Sequence, residues 1–228
     1  MSKSKNDYLD IIYNEQARPL TKYPYKLSNF LIKKYNLEKG SKILDVGCGR
    51  GEFLKGFISN GLVGYGTDQS EYLKKFFKNI KFKKSDLERE GIPYPDNFFD
   101  CIFSKSVIEH FYNPEILGKE ILRVLKPGGL AIIMCPSWEY NYKMFYEDYT
   151  HRTPFTKISL NDFLLINGFT NVKSEYFRQL PLLWKSNHLK IFAEITRICL
   201  PSKFKKFSKW IRFSKEIMLL GCGYKPEI

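Results

Sequence analysis

The chain has 228 residues, 43% of them apolar, which is enough for one substantial hydrophobic core and makes a second domain improbable. Its 37 Lys and Arg against 24 Asp and Glu leave a net charge of +13 that calls for an account of partners, and its five cysteines, odd in number and never spaced Cys-x-x-Cys, suggest neither a disulfide framework nor a zinc site. No stretch approaches the roughly 20 apolar residues of a membrane span, and the polar start MSKSKN lacks the apolar core of a secretory signal, so a cytoplasmic protein is expected.

From the N-terminus, residues 1–40 are rich in Tyr and Lys and bring Leu27, Phe30, Leu31 and Tyr35 to helical spacing before a stop at Gly40. This section is expected to lie over a ligand as a lid or to pack against a sheet edge. Ile43, Leu44 and Val46, bounded by Lys42 and Gly47, make the short apolar run of an inner parallel strand. A glycine turn, Gly47 to Gly51, leads into a helix whose Phe53, Leu54, Phe57 and Ile58 share one stripe and which Asn60-Gly61 ends. Backbone N–H groups at such a helix start point outward. A dinucleotide fingerprint would need glycine where Glu52 stands, and no Gly-Lys-Ser or Gly-Lys-Thr follows to make a phosphate loop. Asp45, two residues before the first glycine, is a poor neighbour for a pyrophosphate and a good one for a cation.

Further strands are predicted at Leu62–Thr67, ending at Asp68, around Ile80–Lys83, from Phe99, and at Leu130–Cys135. Asn113 as N-cap and Pro114 at the first helical position open a helix through Leu125 that buries Ile116, Leu117, Ile121, Leu122 and Val124 or Leu125. Ser159 with Asp162 three residues on has the form of a capping box, starting a helix that stops at Gly168. Phe169–Phe177 and Glu216–Cys222 read as the last two strands. Strands alternating with helices predict an α/β fold built on a mostly parallel, doubly wound sheet.

The segment ILDVGCGRG, Ile43 to Gly51, closely resembles motif I of the class I S-adenosylmethionine-dependent methyltransferases, D-x-G-x-G-x-G, here Asp45, Gly47, Gly49 and Gly51. S-adenosylmethionine carries an ammonium and a sulfonium for Asp45, and a carboxylate for the helix N-terminus. Later signals in family order extend the likeness. Asp68, 17 residues beyond Gly51, stands where the resemblance implies a carboxylate gripping both ribose hydroxyls. Ser85-Asp86-Leu87 resembles the family's adenine contact, which puts Asp86 and Leu87 in the implied cofactor set. FDCIFSKSVIEHF, Phe99 to Phe111, is similar to the fourth strand and the loop carrying the catalytic edge, and Ser104 joins the cofactor set there. LKPGG, Leu125 to Gly129, resembles the turn before strand five. The resemblance implies a Rossmann-like sheet of seven strands with helices on both faces and an antiparallel last strand.

A ligand at the carboxyl ends of such strands puts the acceptor over the loops Ser104–Phe111 and Pro136–Phe155. Methyl transfer is an in-line displacement at an activated carbon, so alignment and water exclusion supply much of the catalysis, yet a hydroxyl acceptor still has to lose its proton. His110 and His151 are the candidate bases. His110, in Ile108-Glu109-His110, is expected to serve structure more than chemistry. His151 lies in DYTHRTPFT, Asp148 to Thr156, which resembles the acceptor-closing loop of small methyltransferases linked to glycan or cell-surface polysaccharide synthesis. Asp148 is spaced to orient the His151 imidazole, and Arg152 suits a phosphate or carboxylate. Alternatively, Thr150, His151 and Arg152 only anchor the loop. Trp138, Tyr140, Tyr142, Phe145, Tyr146 and Tyr149 crowd the same loop, either as stacking faces for an acceptor or as a hydrophobic lid. No paired carboxylates at metal-ligand spacing lie near the site, so no metal is expected.

Charge concentrates between Trp184 and Lys215, where nine Lys or Arg face a single acid, Glu194. Within Lys203 to Lys215, Phe204, Phe207 and Ile211 share one helical stripe while Lys205, Lys209 and Arg212 share another, as in a basic amphipathic helix. This insert packs on the sheet or a partner subunit, rests on an anionic bilayer, or binds nucleic acid; the lack of an RNA-binding module and of an N-P-P-Y or D-P-P-Y signature argues against the last. The expected organisation is one domain over 1–228, with an N-terminal helical lid (1–40), a cofactor core (41–183), the basic insert (184–215) and a last strand with its tail (216–228). The expected activity is transfer of a methyl group from S-adenosylmethionine to oxygen of a glycan-like or small-molecule acceptor, in the cytoplasm, with peripheral contact at the membrane as the alternative location. A quinone, lipid or other small-metabolite acceptor is the alternative, and cofactor binding without catalysis, as an accessory protein, is another.

Overall fold

The computed structural model describes residues 19–77, 80–201 and 208–227. Among these, the apolar runs form strands β1 (Lys42–Val46), β2 (Val63–Asp68), β3 (Lys81–Lys84), β4 (Phe99–Lys105), β5 (Leu125–Pro136), β6 (Thr170–Arg178) and β7 (Ile217–Tyr224). They make one sheet in the order β3-β2-β1-β4-β5-β7-β6, with β1 to β5 parallel and β7 antiparallel to both of its neighbours. The doubly wound, mostly parallel sheet with a reversed last strand is therefore the one expected. Strand order reverses between β1 and β4, which opens a crevice at their carboxyl ends. Asp45 of β1 lies there, registered between Gly66 of β2 and Phe103 of β4.

The helices are α1 (Tyr23–Lys34), α2 (Glu52–Ser59), α3 (Pro114–Val124), the single turn α4 (Trp138–Asn141), α5 (Lys157–Ile166), α6 (Asn187–Cys199) and α7 (Lys209–Lys215). Successive strand side chains face opposite sides, so Ile43 and Leu44 belong to two separate cores. Leu44, Ile102 and Ile133 pack with Leu117 and Ile121 of α3 and Leu160 of α5. On the other face, Ile43, Phe103 and Ile132 pack with Leu27 and Leu31 of α1 and Phe57 of α2. Each fully buried side chain of this size contributes about 1.5–3 kcal/mol, so α1 is a structural layer of the sheet. Of the two expected placements, residues 19–40 take packing against the sheet: Phe30 lies 4.8 Å from Trp184 and 5.7 Å from Phe177. Residues 1–18 lie outside the described residues.

Helix starts were partly legible. Asn113 caps α3 as expected, its side chain accepting from the Glu115 N–H at 3.1 Å with Pro114 following. The capping box of α5, however, is Thr156 with Ser159, not Ser159 with Asp162. Thr156 Oγ1 accepts from the Ser159 N–H, and Ser159 Oγ accepts from the Thr156 N–H at 2.9 Å. A bridge between Phe155 and Ser137 holds the preceding residue extended, which sets where the helix begins. LKPGG is likewise no separate turn. Strand β5 runs through it, Phe99 facing Leu125, and the register shifts before Cys101 meets Leu130. The Gly128 N–H donates to Lys225 O at 3.0 Å, so the C-terminal segment holds this irregularity in the ladder.

The basic insert packs as a helix pair at the end of β6. Arg178 donates to Ser214 O at 2.8 Å and pairs with Glu194, while Trp210 Nε1 donates to Thr196 Oγ1 at 3.0 Å. Phe204, Lys205 and Phe207 of the predicted amphipathic stripe lie outside the described residues. What is exposed is an apolar row on α6, Ile191, Ile195 and Ile198, between 52% and 68% accessible. Among the described residues no helix is long and apolar enough to cross a membrane. All five cysteines are free thiols, four of them buried.

Candidate active site

Turning from β1 into α2 requires left-handed backbone, which Gly47 (φ +70°), Gly49 (φ +51°) and Gly51 (φ +78°) supply. A Cβ on Gly47 would lie 2.3 Å from Val107 Cγ2, and one on Gly51 would lie 2.9 Å from Leu73 Cδ1. These two glycines let the turn close against its neighbours. A Cβ on Gly49 would meet nothing within 4 Å, because Gly49 faces a cavity of about 480 Å³. Of the residues expected to contact a cofactor, Asp45, Gly47, Gly49, Asp68, Asp86 and Leu87 line that cavity. Gly51 and Ser104 do not. Gly51 packs behind the turn, and Ser104 is buried within β4 with no hydrogen-bond partner for its Oγ.

Asp68 Oδ2 accepts from the Gly49 N–H at 2.8 Å, and Oδ1 from the Ser70 N–H at 2.9 Å. The carboxylate therefore ties the end of β2 to the glycine turn, and carboxylate oxygens retain lone pairs for ribose hydroxyls. Asp45 is 2% exposed and its Oδ2 has no hydrogen-bond partner. Burial, and then the charge of Asp68, pushes its carboxyl well above the ordinary range, against the pull of the Leu54 N–H and Lys105. A cationic ligand would reverse that shift. The open face of Gly49, the helix start, Asp68 and the unsatisfied Asp45 together fit S-adenosylmethionine.

Two cations on these walls escaped the sequence reading. Arg50, 7% exposed, pairs with Glu52 at 2.6 Å beside the glycine turn. Lys105 ends β4 and lines both this cavity and a second one. A lysine closing an apolar strand at the carboxyl edge was the available signal.

The second cavity, also about 480 Å³, adjoins the first, with Lys105, Ser106, His110 and Tyr149 lining both. Its wall combines apolar side chains such as Met144, Ile217 and Met218 with the polar Glu109, Asp148, His151, Gln179 and Glu216. Two loops are stitched together to build it. Glu109 O accepts from the N–H groups of Arg152 and Thr153 at 2.7 and 3.0 Å, and Thr153 Oγ1 donates to Phe111 O at 2.8 Å.

This stitching reassigns the histidines. Thr150 Oγ1 donates to Asp148 Oδ1 at 2.6 Å and lies 2.9 Å from His110 Nδ1, so the His110 nitrogen is the donor in that contact. His151 Nδ1 donates to Phe145 O at 2.6 Å. Both rings thus carry the Nδ1 proton and leave the Nε2 lone pair available. Asp148 orients His110 through Thr150, rather than His151 as their spacing suggests; its Oδ2 stands 4.0 Å from His151 Nε2, too far for a hydrogen bond. Burial, then the neighbouring His151, lowers the His110 pKa and keeps the ring neutral. His110, expected to serve structure, sits at the junction of the cavities, with the His151 ring centroid 4.8 Å away.

The aromatic loop divides between the two readings. Phe145 is buried against Trp138 and His151, and Tyr140 packs on Tyr176, so these rings are structural. Tyr149 is 76% exposed and lines both cavities. Arg152 lies on the first cavity under Tyr112, its Nη1 donating to the Tyr149 and His151 carbonyls. Arg212 of the basic insert reaches the second cavity, 2.8 Å from Glu216 Oε2.

Residues 44–133 match a family described as methyltransferase domain. The chain is 30% identical over 150 residues to a Xenopus tropicalis tRNA (carboxymethyluridine(34)-5-O)-methyltransferase, covering 62% of this chain and 23% of that protein. It is 31% identical over 127 residues to a sterol 24-C-methyltransferase of Aspergillus fumigatus, covering 50% and 33%. The chain thus spans well under half the length of these two relatives. Its fold is similar to that of an S-adenosylmethionine-dependent methyltransferase from Archaeoglobus fulgidus, with a TM-score of 0.64, 23% identity, and 96% and 100% of the two chains covered. It is also similar to the Haemonchus contortus phosphoethanolamine N-methyltransferase 2 in complex with S-adenosylmethionine, with a TM-score of 0.64, 18% identity, and 98% and 61% covered.

Proposed function

We propose that this chain, whose residues 44–133 match a methyltransferase domain family, is a class I S-adenosylmethionine-dependent methyltransferase that methylates a hydroxyl oxygen of a glycan-like or other small polar acceptor. The observation that carries this reading is that a second cavity, with Glu109, Asp148, His151, Gln179 and Glu216 among its lining, meets the cofactor cavity at His110. The bound cofactor supplies a methyl carbon activated by positive sulfur. Asp68 and the glycine turn fix the nucleoside, and Asp45 faces the positive charge. His110 Nε2 takes up the proton of the acceptor hydroxyl, while Thr150 and Asp148 hold the ring. Such proton transfer contributes about 10²–10⁴ in rate.

Relatives named for a tRNA uridine and a sterol show that this type of domain does not by itself choose the acceptor. A polyhydroxyl compound is supported by Gln179 and Glu216 on the cavity wall, which would lose hydrogen bonds to water against a sterol or quinone ring. Incubation with methyl-labelled cofactor and fractionated host extract is expected to label a glycan or small polar fraction. Label in a lipid, quinone or RNA fraction would replace this acceptor class. No label from material that binds the cofactor would leave an accessory binding protein.

A second proposal concerns the insert. Ile191, Ile195 and Ile198, with the surrounding Lys and Arg, are suited to rest on an anionic bilayer, where the apolar row supplies buried area and the charges attract headgroups. The chain is expected to float with vesicles containing phosphatidylserine and to stay in the soluble fraction with neutral vesicles, and Ile195→Ser to reduce flotation. Equal partition with both lipid compositions would refute the proposal.

A further inference from the structure

We propose that Glu109, His110 and His151 form a binding site for one divalent transition-metal ion in the wall of the acceptor cavity. One ligand atom from each residue lies within 4.8 Å of the others. An ion with bonds of about 2.1 Å holds its donors roughly 3–3.5 Å apart, so small side-chain shifts would close the site. Both imidazoles are already set for ligation. Phe145 O and Thr150 Oγ1 take their Nδ1 protons, which is the outer arrangement that presents Nε2 to a metal.

Glu109 supplies the independent observation. It is 1% exposed, and neither carboxyl oxygen makes a hydrogen bond of good geometry; the N–H groups of Glu109 itself and of Val107 lie near enough only to pull on its charge. Its backbone carbonyl already stitches the two loops, so the loop structure leaves the side chain unexplained. A buried carboxyl in this condition is unsatisfied whether ionised or protonated. A dication would satisfy all three side chains at once.

Lys105 brings positive charge close to Glu109 and Arg152 close to His110, offsetting the negative charge of Asp148 beside both. Nitrogen donors rather than net negative charge must therefore select the ion, which favours Mn²⁺, Fe²⁺, Co²⁺ or Zn²⁺ over Mg²⁺ or Ca²⁺. Two imidazoles and one carboxylate leave positions open for oxygen. What the ion does there rests on the proposed acceptor, though its binding does not. A hydroxyl bound to the ion becomes more acidic and loses its proton to water; its oxygen lone pair then forms the O–CH₃ bond as the C–S bond breaks and the thioether leaves with the electron pair. In the ion-bound protein His110 acts through the metal instead of taking the proton itself.

The test is titration of the tag-free chain with CoCl₂ and MnCl₂, followed by calorimetry and, for Co²⁺, by visible absorption. One ion per chain is expected, with the d–d bands of nitrogen ligation. Glu109→Gln and His151→Ala should each weaken binding at least about tenfold, while S-adenosylhomocysteine affinity, which reports folding, stays within about threefold. The absence of stoichiometric binding up to about 1 mM, or unchanged binding in either variant that still binds S-adenosylhomocysteine, would overturn the proposal. Since no acceptor is needed, failure here leaves the labelling result standing, and failure of the labelling leaves the metal site standing.

Discussion

Asp68→Ala is expected to weaken binding of S-adenosylhomocysteine by about two to three orders of magnitude, measured by calorimetry. The carboxylate holds the Gly49 and Ser70 N–H groups at 2.8 and 2.9 Å. Hydrogen bonds to a charged group contribute about 1.5–3 kcal/mol each, and a buried donor left without an acceptor adds its desolvation cost. The Gly49 donor stands at the open face of the glycine turn, so its release disturbs the surface that meets the nucleoside. Loss of ribose contacts adds to this. At about 1.4 kcal/mol per tenfold, removal of one loop contact and one ribose contact accounts for the range. The melting temperature should fall as well, because the same bonds join β2 to the turn after β1. Asp68→Asn, which keeps an acceptor for one of the two donors, should lie between the wild type and the alanine variant. Affinity within threefold of wild type in Asp68→Ala would mean that the carboxylate serves only the apo loop.

His110→Ala should lower turnover by about 10²–10⁴, while affinity for S-adenosylhomocysteine changes no more than about tenfold. The ring lines both cavities, its Nδ1 proton is held by Thr150, and burial keeps it neutral. Removing it takes away the nitrogen that meets the acceptor, whether that nitrogen acts directly or through an ion. His151→Ala should also cut turnover and leave cofactor affinity nearly unchanged, since His151 lines the acceptor cavity. Thr150→Val breaks the relay to Asp148 without touching either ring, and a loss of about tenfold in turnover is expected from a group that only positions the histidine. Turnover of His110→Ala within threefold of wild type would remove the ring from the reaction.

Sequence by itself determined whatever rests on neighbouring residues. The strand from Lys42 to Val46, the left-handed glycine turn, Asp68 at the end of the next strand and the Asn113 cap are local features, because hydrophobic period, positive φ and capping act over a few residues. Their order also placed Asp45, Gly49, Asp86 and Leu87 on one cavity. Tertiary structure alone decided the rest. Packing of Leu27 and Leu31 against the sheet made α1 a layer of the fold, and Gly51, where a Cβ would meet Leu73, stands off the cavity. The bridge from Phe155 to Ser137 set the start of α5. Most consequential is the acceptor side. His110 and His151 lie far apart along the chain, and no spacing shows that Thr150 links Asp148 to His110, or that Glu109 points its unpartnered carboxyl toward both rings. Those contacts exist because hydrogen bonds from Arg152 and Thr153 to one carbonyl join two loops, and where distant segments cross depends on how the whole sheet packs.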